Sequence, residues 1–294
     1  MKKLADKIQR VGIIANPEKP RCRALVKRAA QALRAAKRTV VCDPDTLSIA
    51  PGVCPKAASV QDLARECDLL LVVGGDGTML RVAREIAGSN TPILGINAGN
   101  LGFLTSIRPD ALADSLTEVV RGHFTIEERA LLEATVKLDS GSSLQIALND
   151  FVLSRGITSR LIELEVSVNG ELLTRYRCDG FIASSPTGST AYSLAAGGAI
   201  VSPDTEALTL TPICPHTLSI RPVVVSLQST VCVRLVSSRL NAILAADGQQ
   251  QTELSPGNTV TIRRSARSVK LLRLKGGTFF STLRQKFGWS GSNV

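Results

Sequence analysis

The sequence predicts an α/β domain with an open, mostly parallel sheet, followed by an antiparallel, all-β, sandwich-like domain. Short apolar runs alternate with helical patterns from residue 11 to about residue 125, which is typical of a parallel sheet covered by helices. Beyond that point single apolar residues alternate with polar ones, as in half-buried strands. The length of 294 residues is sufficient for two such domains.

The first domain is expected to span residues 1–125. Its predicted strands are 11–15, 39–41, 69–73 and 93–96, and its predicted helices are 23–36, 60–66, 78–87 and 111–121. The run at 69–73 consists of consecutive apolar residues rich in β-formers, which indicates a strand buried on both faces.

A glycine-rich loop follows this buried strand. Gly74, Gly75 and Gly77 surround one carboxylate, Asp76, and Thr78 begins the predicted helix. Glycine lets the backbone approach a ligand closely, and the free amides at a helix N-terminus favour phosphate. Open α/β sheets also place their ligands at the carboxyl ends of strands. The loop is therefore predicted to bind phosphate.

The spacing within this loop separates it from two common nucleotide-binding motifs. Neither the G-x-x-x-x-G-K-[ST] pattern of a P-loop nor the G-x-G-x-x-G pattern of a dinucleotide fold occurs in the chain. A glycine-rich turn in which Asp76 caps the helix is the structural alternative. Arg81, one turn into the helix, either reaches the same phosphate or lies on a solvated helix face.

The second domain is expected to span residues 126–275. Alternating runs at 132–138 and 144–148 flank a predicted turn at 139–143, and residues 162–168 lead into Asn169-Gly170, a strong signal for a tight hairpin turn. Further strands are predicted at 223–227, 231–235, 243–246, 260–263 and 269–274. The sequence contains no visible repeat.

A second block, residues 178–193, combines a short strand, a turn rich in serine and threonine, and the start of another helix. Thr190 is a candidate N-cap for that helix, and the amides after it can hold a polar ligand. Taken alone, the block is equally compatible with an ordinary Ser/Thr turn.

Composition and charge restrict the partners of the protein. The net charge of +10 indicates an anionic partner, whereas 3% aromatic residues and dispersed basic residues argue against nucleic acid. No apolar run approaches the roughly 20 residues of a membrane helix, and the basic start lacks a signal-peptide pattern, so a cytoplasmic location is expected. The seven cysteines lack a C-x-x-C pair and are interpreted as free thiols, with Cys178 and Cys214 as small buried side chains.

Taken together, the two blocks resemble the NAD kinase family, whose members phosphorylate NAD to NADP. The resemblance covers nearly the whole chain, and further matching blocks occur in family order at 12–17, 100–105, 149–150, 212–218 and 247–249. The Gly-Gly-Asp-Gly-Thr element alone is shared with diacylglycerol and sphingosine kinases, and phosphofructokinases carry a related loop. The later blocks are much more specific.

The resemblance implies roles for individual residues. Asp76 would accept the proton of the 2′-hydroxyl of the adenosine ribose of NAD, which receives the γ-phosphoryl group of ATP. Asn149 and Asp150 match the Asn-Glu/Asp pair that binds the nucleotide, with the shorter acid in this chain. The other predicted NAD contacts are Gly77, Arg160, Arg177, Asp179, Thr190, Ala191, Tyr192, Ser193, Leu194, Ala195 and Gln249, and the predicted phosphate contacts are Gly74, Gly75, Gly77, Thr78 and Arg81.

The resemblance also implies the cofactors and the assembly. ATP is the expected donor, with polyphosphate left open, and Mg²⁺ or another divalent metal would bind the donor phosphates without a protein ligand set. In the family a neighbouring subunit completes the cleft between the domains, so a homodimer or homotetramer is expected. The family's carboxyl-terminal segment returns to the first domain, and the helical spacing of Phe279, Leu283 and Phe287 within 276–294 fits a packing helix. A membrane-binding amphipathic helix is the alternative.

Two other functions share parts of this pattern. A lipid kinase would share the glycine-rich loop, but it should lack the block at 178–193 and should present an apolar entry for an acyl chain. A non-catalytic NAD sensor would share the nucleotide contacts, but the intact Asp76 argues against it. In the family, a charged or polar residue at the position of Arg177 accompanies a preference for NAD, whereas glycine at this position accompanies the use of NADH as well.

Overall fold

The computed structural model describes residues 8–289 except 56, 100, 101, 139, 140 and 158. The chain divides into two compact units, one formed by residues up to 128 and from 268 onward, the other by residues 129–267. Asn100 and Leu101 of the block at 100–105, part of the predicted turn at 139–143, and residues 290–294 of the predicted terminal helix lie outside the described residues.

Regular elements follow one another along the whole described chain. The strands are β1 (Arg10–Ala15), β2 (Thr39–Cys42), β3 (Leu69–Gly74), β4 (Ile93–Asn97), β5 (Thr105–Ile107), β6 (Phe124–Leu138), β7 (Gly141–Ala147), β8 (Asp150–Ser154), β9 (Ile162–Val168), β10 (Glu171–Cys178), β11 (Gly180–Ser184), β12 (Ala207–Ile213), β13 (Val223–Ser226), β14 (Val231–Leu235), β15 (Ala242–Ala246), β16 (Gln250–Leu254) and β17 (Thr259–Leu274). The helices are α1 (Pro20–Ala35), α2 (Pro44–Ile49), α3 (Val60–Glu66), α4 (Asp76–Glu85), α5 (Leu112–Val120), α6 (Tyr192–Ala195) and α7 (Phe279–Phe287), with a 3₁₀ helix at Thr187–Thr190.

The first unit is built on a parallel sheet. Strands β4, β3, β1 and β2 are neighbours in that order, and β5 and the last part of β17 also pair with β4 in parallel. Every residue of β3 is buried, as expected for a central strand with helices on both faces. The predicted α/β class is confirmed for this unit.

Local sequence signals explain where several helices begin. Pro20 opens α1, because proline suits the first helical turn. Helix α2, which the sequence pattern did not predict, is capped by Asp43, whose side chain accepts the amide of Thr46 at 3.2 Å. Helix α4 begins at Asp76, two residues earlier than predicted, so the carboxylate lies in the first helical turn.

The terminal helix α7 carries its own start and stop signals. Thr278 and Ser281 form a capping box, and Gly288 ends the helix in the left-handed conformation with φ 65°. Leu283 is the buried residue of this helix, whereas Phe280 and Phe287 are exposed. No helix in the described part of the chain has the length and apolar character needed to cross a membrane.

The second unit is an antiparallel β sandwich. One sheet has the strand order β13-β12-β11-β8-β15-β16, and strands β10, β9 and β14 pair in series with the first part of β17. Phe151 and Phe181 from the first sheet share a buried core with Leu164 and Val233 from the second. The predicted second domain class is therefore confirmed.

Two hairpins in this unit turn through residues with positive φ. Asn169 and Gly170 have φ values of 53° and 87°, as the sequence predicted for a two-residue turn. Asp247 and Gly248 have φ values of 50° and 67° and connect β15 to β16. The second turn brings a carboxylate to a fixed position at the end of a strand.

Candidate active site

The glycine-rich loop joins β3 to α4 with little space for side chains. The side chain of Thr78 occupies the position that a Cβ on Gly74 would take. The amide of Ala98, which follows β4, donates to the carbonyl of Gly74 at 2.7 Å. Gly75 is the residue before α4 and is extended, and Gly77 is exposed. The loop therefore lies at the carboxyl ends of β3 and β4, as predicted.

The carboxylate of Asp76 is held by the segment that precedes and begins β5. Its Oδ2 accepts the amide of Phe103 at 2.8 Å, and its Oδ1 accepts the amides of Leu104 and Thr105, both at 3.2 Å. A Cβ on Gly102 would overlap the carboxyl group, so this position requires glycine. Among the described residues, Oδ2 accepts a single amide, which leaves this oxygen capacity for one more donor.

Lys19 is a cation near the loop that the sequence reasoning missed. Its Nζ lies 2.9 Å from the position of a Cβ on Gly75 and 3.7 Å from that on Gly99. The residue is half-buried and immediately precedes α1. The available signal was its place two residues after the block at 12–17, at the carboxyl end of β1.

Arg81, the predicted additional phosphate contact, forms an ion pair along its own helix. Its Nη1 lies 3.0 Å from Oε1 of Glu85, one turn later, and both side chains are about one-third exposed. This contact matches the helix-face alternative. A contact with phosphate stays a prediction.

A pair of carboxyl groups lies in the second unit. Asp150 is buried, and burial together with the charge of Asp247 raises the pKa of its carboxyl group to about 7. The Asp247 carboxylate accepts the amides of Leu148 at 3.1 Å, Asn149 at 2.7 Å and Asp150 at 3.3 Å. Asp247 thus fixes the backbone of the predicted Asn149-Asp150 pair, a role that the Asp-Gly turn signal could have suggested.

Asp179 is held by an arginine that the sequence reasoning did not select. The Nε of Arg155 donates to Oδ1 of Asp179 at 2.6 Å, and the amide of Arg155 donates to the Asp179 carbonyl at 3.1 Å. Both side chains are about one-third exposed, so the pair remains accessible. Arg177, two residues earlier on β10, has an exposed side chain, and its carbonyl accepts the amide of His216 at 2.9 Å.

The segment after β11 corrects one expectation. Thr190 is not the N-cap of the next helix, because it ends the 3₁₀ helix, where its hydroxyl donates to the carbonyl of Thr187 at 3.3 Å. Ala191 precedes α6 and provides no side-chain cap. The tight 3₁₀ turn brings the hydroxyl of Thr190 back toward its own backbone.

The other predicted contacts around this segment differ in exposure. Ser193 is buried, and its hydroxyl lies 3.0 Å from that of Thr211. Tyr192 is exposed. Half-buried or exposed positions are occupied by Ala191, Leu194, Ala195, Arg160 and Gln249.

The cysteines are free thiols, as expected, and of the two that were expected to be buried, Cys178 is buried and Cys214 is not. Cys178 is buried, and burial raises the pKa of its thiol to about 12. Cys214 is exposed, so its expected burial was wrong; it follows β12 in a turn with φ 44°. Within the described residues, no three or more His, Cys, Asp and Glu side chains are grouped to hold a metal ion.

Family models match both parts of the chain. The ATP-NAD kinase N-terminal domain matches residues 11–124, and the ATP-NAD kinase C-terminal domain matches residues 148–274. The chain belongs to the NAD kinase family. The glycine-rich loop with Asp76 thus falls in the N-terminal family domain, and Asn149, Asp150, Asp179 and the 247–249 turn fall in the C-terminal one.

Individual NAD kinases are similar to this chain over most of its length. The NAD kinase of Teredinibacter turnerae is 42% identical over 95% of this chain and 96% of its own, and that of Moorella thermoacetica is 41% identical over 97% and 91%. A crystal structure of yeast NADH kinase complexed with NADH aligns with a TM-score of 0.87 and 29% identity over 98% of this chain and 89% of its own. The NAD kinase of Archaeoglobus fulgidus in complex with ATP aligns with a TM-score of 0.75 and 27% identity over 95% and 97%.

Proposed function

We propose that this chain is an NAD kinase that transfers the γ-phosphoryl group of ATP to the 2′-hydroxyl of the adenosine ribose of NAD, forming NADP. The observation that carries the proposal is the Asp76 carboxylate, which three backbone amides hold in a glycine-rich loop while Oδ2 keeps capacity for a further donor. A positioned carboxylate beside a phosphate-binding backbone is what proton transfer during phosphoryl transfer requires.

In the proposed reaction, residues of the first unit accept the proton and bind the phosphate groups. The oxygen of the ribose 2′-hydroxyl attacks the γ-phosphorus of ATP, and Oδ2 of Asp76 accepts the hydroxyl proton. The bond from the γ-phosphorus to the bridging oxygen breaks, and ADP leaves with that oxygen. The backbones of Gly74, Gly75 and Gly77, with Thr78, approach the phosphate oxygens. Lys19 adds a positive charge beside Gly75. Arg81 adds a second cation if phosphate displaces its contact with Glu85.

The proposed NAD contacts lie in the second unit. Asn149, Asp150 and Asp179 are the polar anchors, with Arg160, Arg177 and Gln249 at exposed positions. Because the pKa of Asp150 is raised to about 7, this carboxyl group can donate a hydrogen bond to an acceptor atom of the nucleotide near neutral pH. The other proposed contacts are the residues from Thr190 to Ala195.

The remaining assignments follow family membership. Phosphate chemistry is assigned to the domain of residues 1–125, rejoined by the C-terminal segment that contains α7, and NAD binding to residues 126–275. Mg²⁺ would be held by the donor phosphates rather than by a set of protein ligands, and it would neutralise negative charge on those phosphates. Polyphosphate is the alternative donor, and the active form is a cytoplasmic homodimer or homotetramer.

The test combines purified protein, ATP, Mg²⁺ and NAD and follows NADP with an NADP-specific dehydrogenase. We expect NADP from NAD and none from 2′-deoxy-NAD, because the acceptor hydroxyl is then absent. Phosphorus NMR of the product identifies the modified position, and phosphate on the 3′-hydroxyl or on the nicotinamide ribose contradicts the assignment. Phosphorylation of sphingosine or diacylglycerol in place of NAD supports a lipid kinase.

A further inference from the structure

The segment that holds Asp76 is itself held by the C-terminal helix. The ring of Phe103 contacts two rings of α7, with centroid distances of 6.3 Å to Phe279 and 6.2 Å to Phe287. The Nζ of Lys286, from the same helix, lies 4.7 Å from the centroid of the Phe103 ring. Aromatic pairs and a cation over a ring face are attractive contacts. The side chain of Phe103 is thus bound to α7 from several directions.

The backbone of Phe103 is fixed on both sides of the residue. Its amide donates to Oδ2 of Asp76 at 2.8 Å, and its carbonyl accepts Nη2 of Arg273 at 3.0 Å. Arg273 in turn donates through Nε to Glu127 at 3.3 Å and is 15% exposed. Phe103 therefore connects α7 and the end of β17 to the carboxylate by direct contacts.

We infer that α7 is a positioning element for Asp76 and that it acts through Phe103. The inference rests on the proposed function, because it assigns Phe279, Phe287 and Lys286 to the orientation of the proposed base. Gly102 precedes Phe103 and has no side chain with which to anchor the segment, so the ring contacts of Phe103 anchor it together with the bond from Arg273 to the Phe103 carbonyl. A displacement of about 1 Å at a reacting group can lower a rate about 100-fold.

The ring contacts of Phe279 and Phe287 with Phe103 can be removed by substitution while α7 stays folded. The capping box of Thr278 and Ser281 and the left-handed Gly288 are independent of the two rings. Leu283, the buried residue of α7, is 3% exposed and is left unchanged in these variants. The double variant Phe279→Ala/Phe287→Ala therefore tests the anchor itself. Phe280→Ala is the matched control, because Phe280 is 61% exposed and its ring contacts Phe279 and not Phe103.

The first readout is independent of activity. Hydrogen–deuterium exchange of a peptide covering residues 102–107 should become faster in the double variant and stay unchanged in Phe280→Ala. Unchanged exchange in the double variant overturns the inference, even where the wild type forms NADP. Failure of the wild type to form NADP contradicts the proposed function. The hydrogen–deuterium exchange result still shows, independently of activity, whether α7 holds the segment of Phe103. If the double variant does not fold, Phe287→Ala and Lys286→Ala are measured in the same way.

The second readout tests whether the effect passes through Asp76. We expect kcat to fall about 10-fold in Phe279→Ala/Phe287→Ala while KM for NAD and ATP changes less than about 2-fold, since the lost contacts orient the base and neither residue is among the proposed nucleotide contacts. In an Asp76→Asn background the same double variant should cause no further loss, and Phe287→Tyr should retain the rate. An equal loss in both backgrounds, or an equal loss in Phe280→Ala, overturns the inference.

Discussion

The Asp247 carboxylate accepts the backbone amide of Asp150 at 3.3 Å, and the amide of Asp247 donates to the Asp150 carbonyl at 3.0 Å. Two acidic residues far apart in sequence are thereby fixed beside each other. Burial and the negative charge of Asp247 together raise the pKa of Asp150 to about 7. Ionisation of Asp150 consequently affects the stability of the fold and, under the proposed function, the binding of the nucleotide.

Stability should therefore depend on pH through Asp150. Below about pH 4 this carboxyl group is protonated in both the folded and the unfolded chain. Between about pH 4 and about pH 7 the unfolded chain loses the proton and the folded chain keeps it, so the free energy of unfolding falls as pH rises and then becomes level. Asp150→Asn should be on the order of 2–4 kcal/mol more stable than the wild type at pH 8 and equal to it near pH 4.

Urea unfolding of both proteins at pH 4, 6 and 8 measures this difference. Asp204→Asn, which replaces an exposed aspartate in the same unit, is the control and should not gain stability at pH 8. A stability difference between Asp150→Asn and the wild type that does not change with pH contradicts the assignment.

Asp76→Asn should lower kcat at least about 100-fold, because the amide keeps the size of the side chain but cannot accept the proton. NAD binding, measured by calorimetry, should change little. Asp110→Asn, an exposed aspartate of the same unit, should retain the wild-type rate. Turnover of Asp76→Asn near the wild-type rate would exclude Asp76 as the base and make Asp150 the next candidate.

Lys19→Ala should lower kcat/KM by roughly 10–100-fold, since a charge-assisted hydrogen bond to phosphate contributes about 1.5–3 kcal/mol. Lys19→Arg should recover part of the loss. Lys27→Ala removes an exposed lysine of α1, the helix that follows Lys19, and serves as the control. Steady-state kinetics with NAD and ATP varied separately decides which nucleotide the ammonium group contacts, and equal values for Lys19→Ala and Lys27→Ala would exclude the contact.

Arg177 should determine the preference between oxidised and reduced cofactor. The wild type should prefer NAD to NADH, and Arg177→Gly should weaken the preference, with one side chain discriminating by roughly 10–200-fold in kcat/KM. Arg177 is exposed and lies two residues before Asp179, which permits either direct contact with the cofactor or an effect on Asp179. Equal use of both cofactors by the wild type, or an unchanged ratio in the variant, contradicts the prediction.

Structural features that depend only on neighbouring residues could be predicted from the local sequence. The apolar run before Gly74 predicted a fully buried strand, and Asn169-Gly170 predicted a hairpin with positive φ at both positions, which the structure confirms. The sheet class of each unit also followed from the period of apolar residues. In each case the physical cause lies within a few residues of the signal.

Contacts between residues far apart in the sequence could not be predicted from local patterns. Phe103 reaches Asp76 across 27 positions and Asp247 reaches Asp150 across 97, and no local pattern reports such pairs. The single strand β17 was predicted as two, 260–263 and 269–274, because the mostly polar residues 264–268 interrupt the apolar pattern, although Arg264 and Arg267 are exposed side chains within a continuous strand. Polar residues on the solvent side of a long strand hide its continuity.

The pairing of Leu271 in β17 with Ile93 in β4 can form only late in the synthesis of the chain. When β4 leaves the ribosome its neighbour β3 is already available, but the partner of Ile93 in β17 emerges only after the whole sandwich has been translated. Until then the nascent sheet has an unpaired edge at this position, and such edges invite pairing with other chains. A product that stops before residue 268 would keep that edge permanently, so incomplete chains should aggregate where the full chain folds.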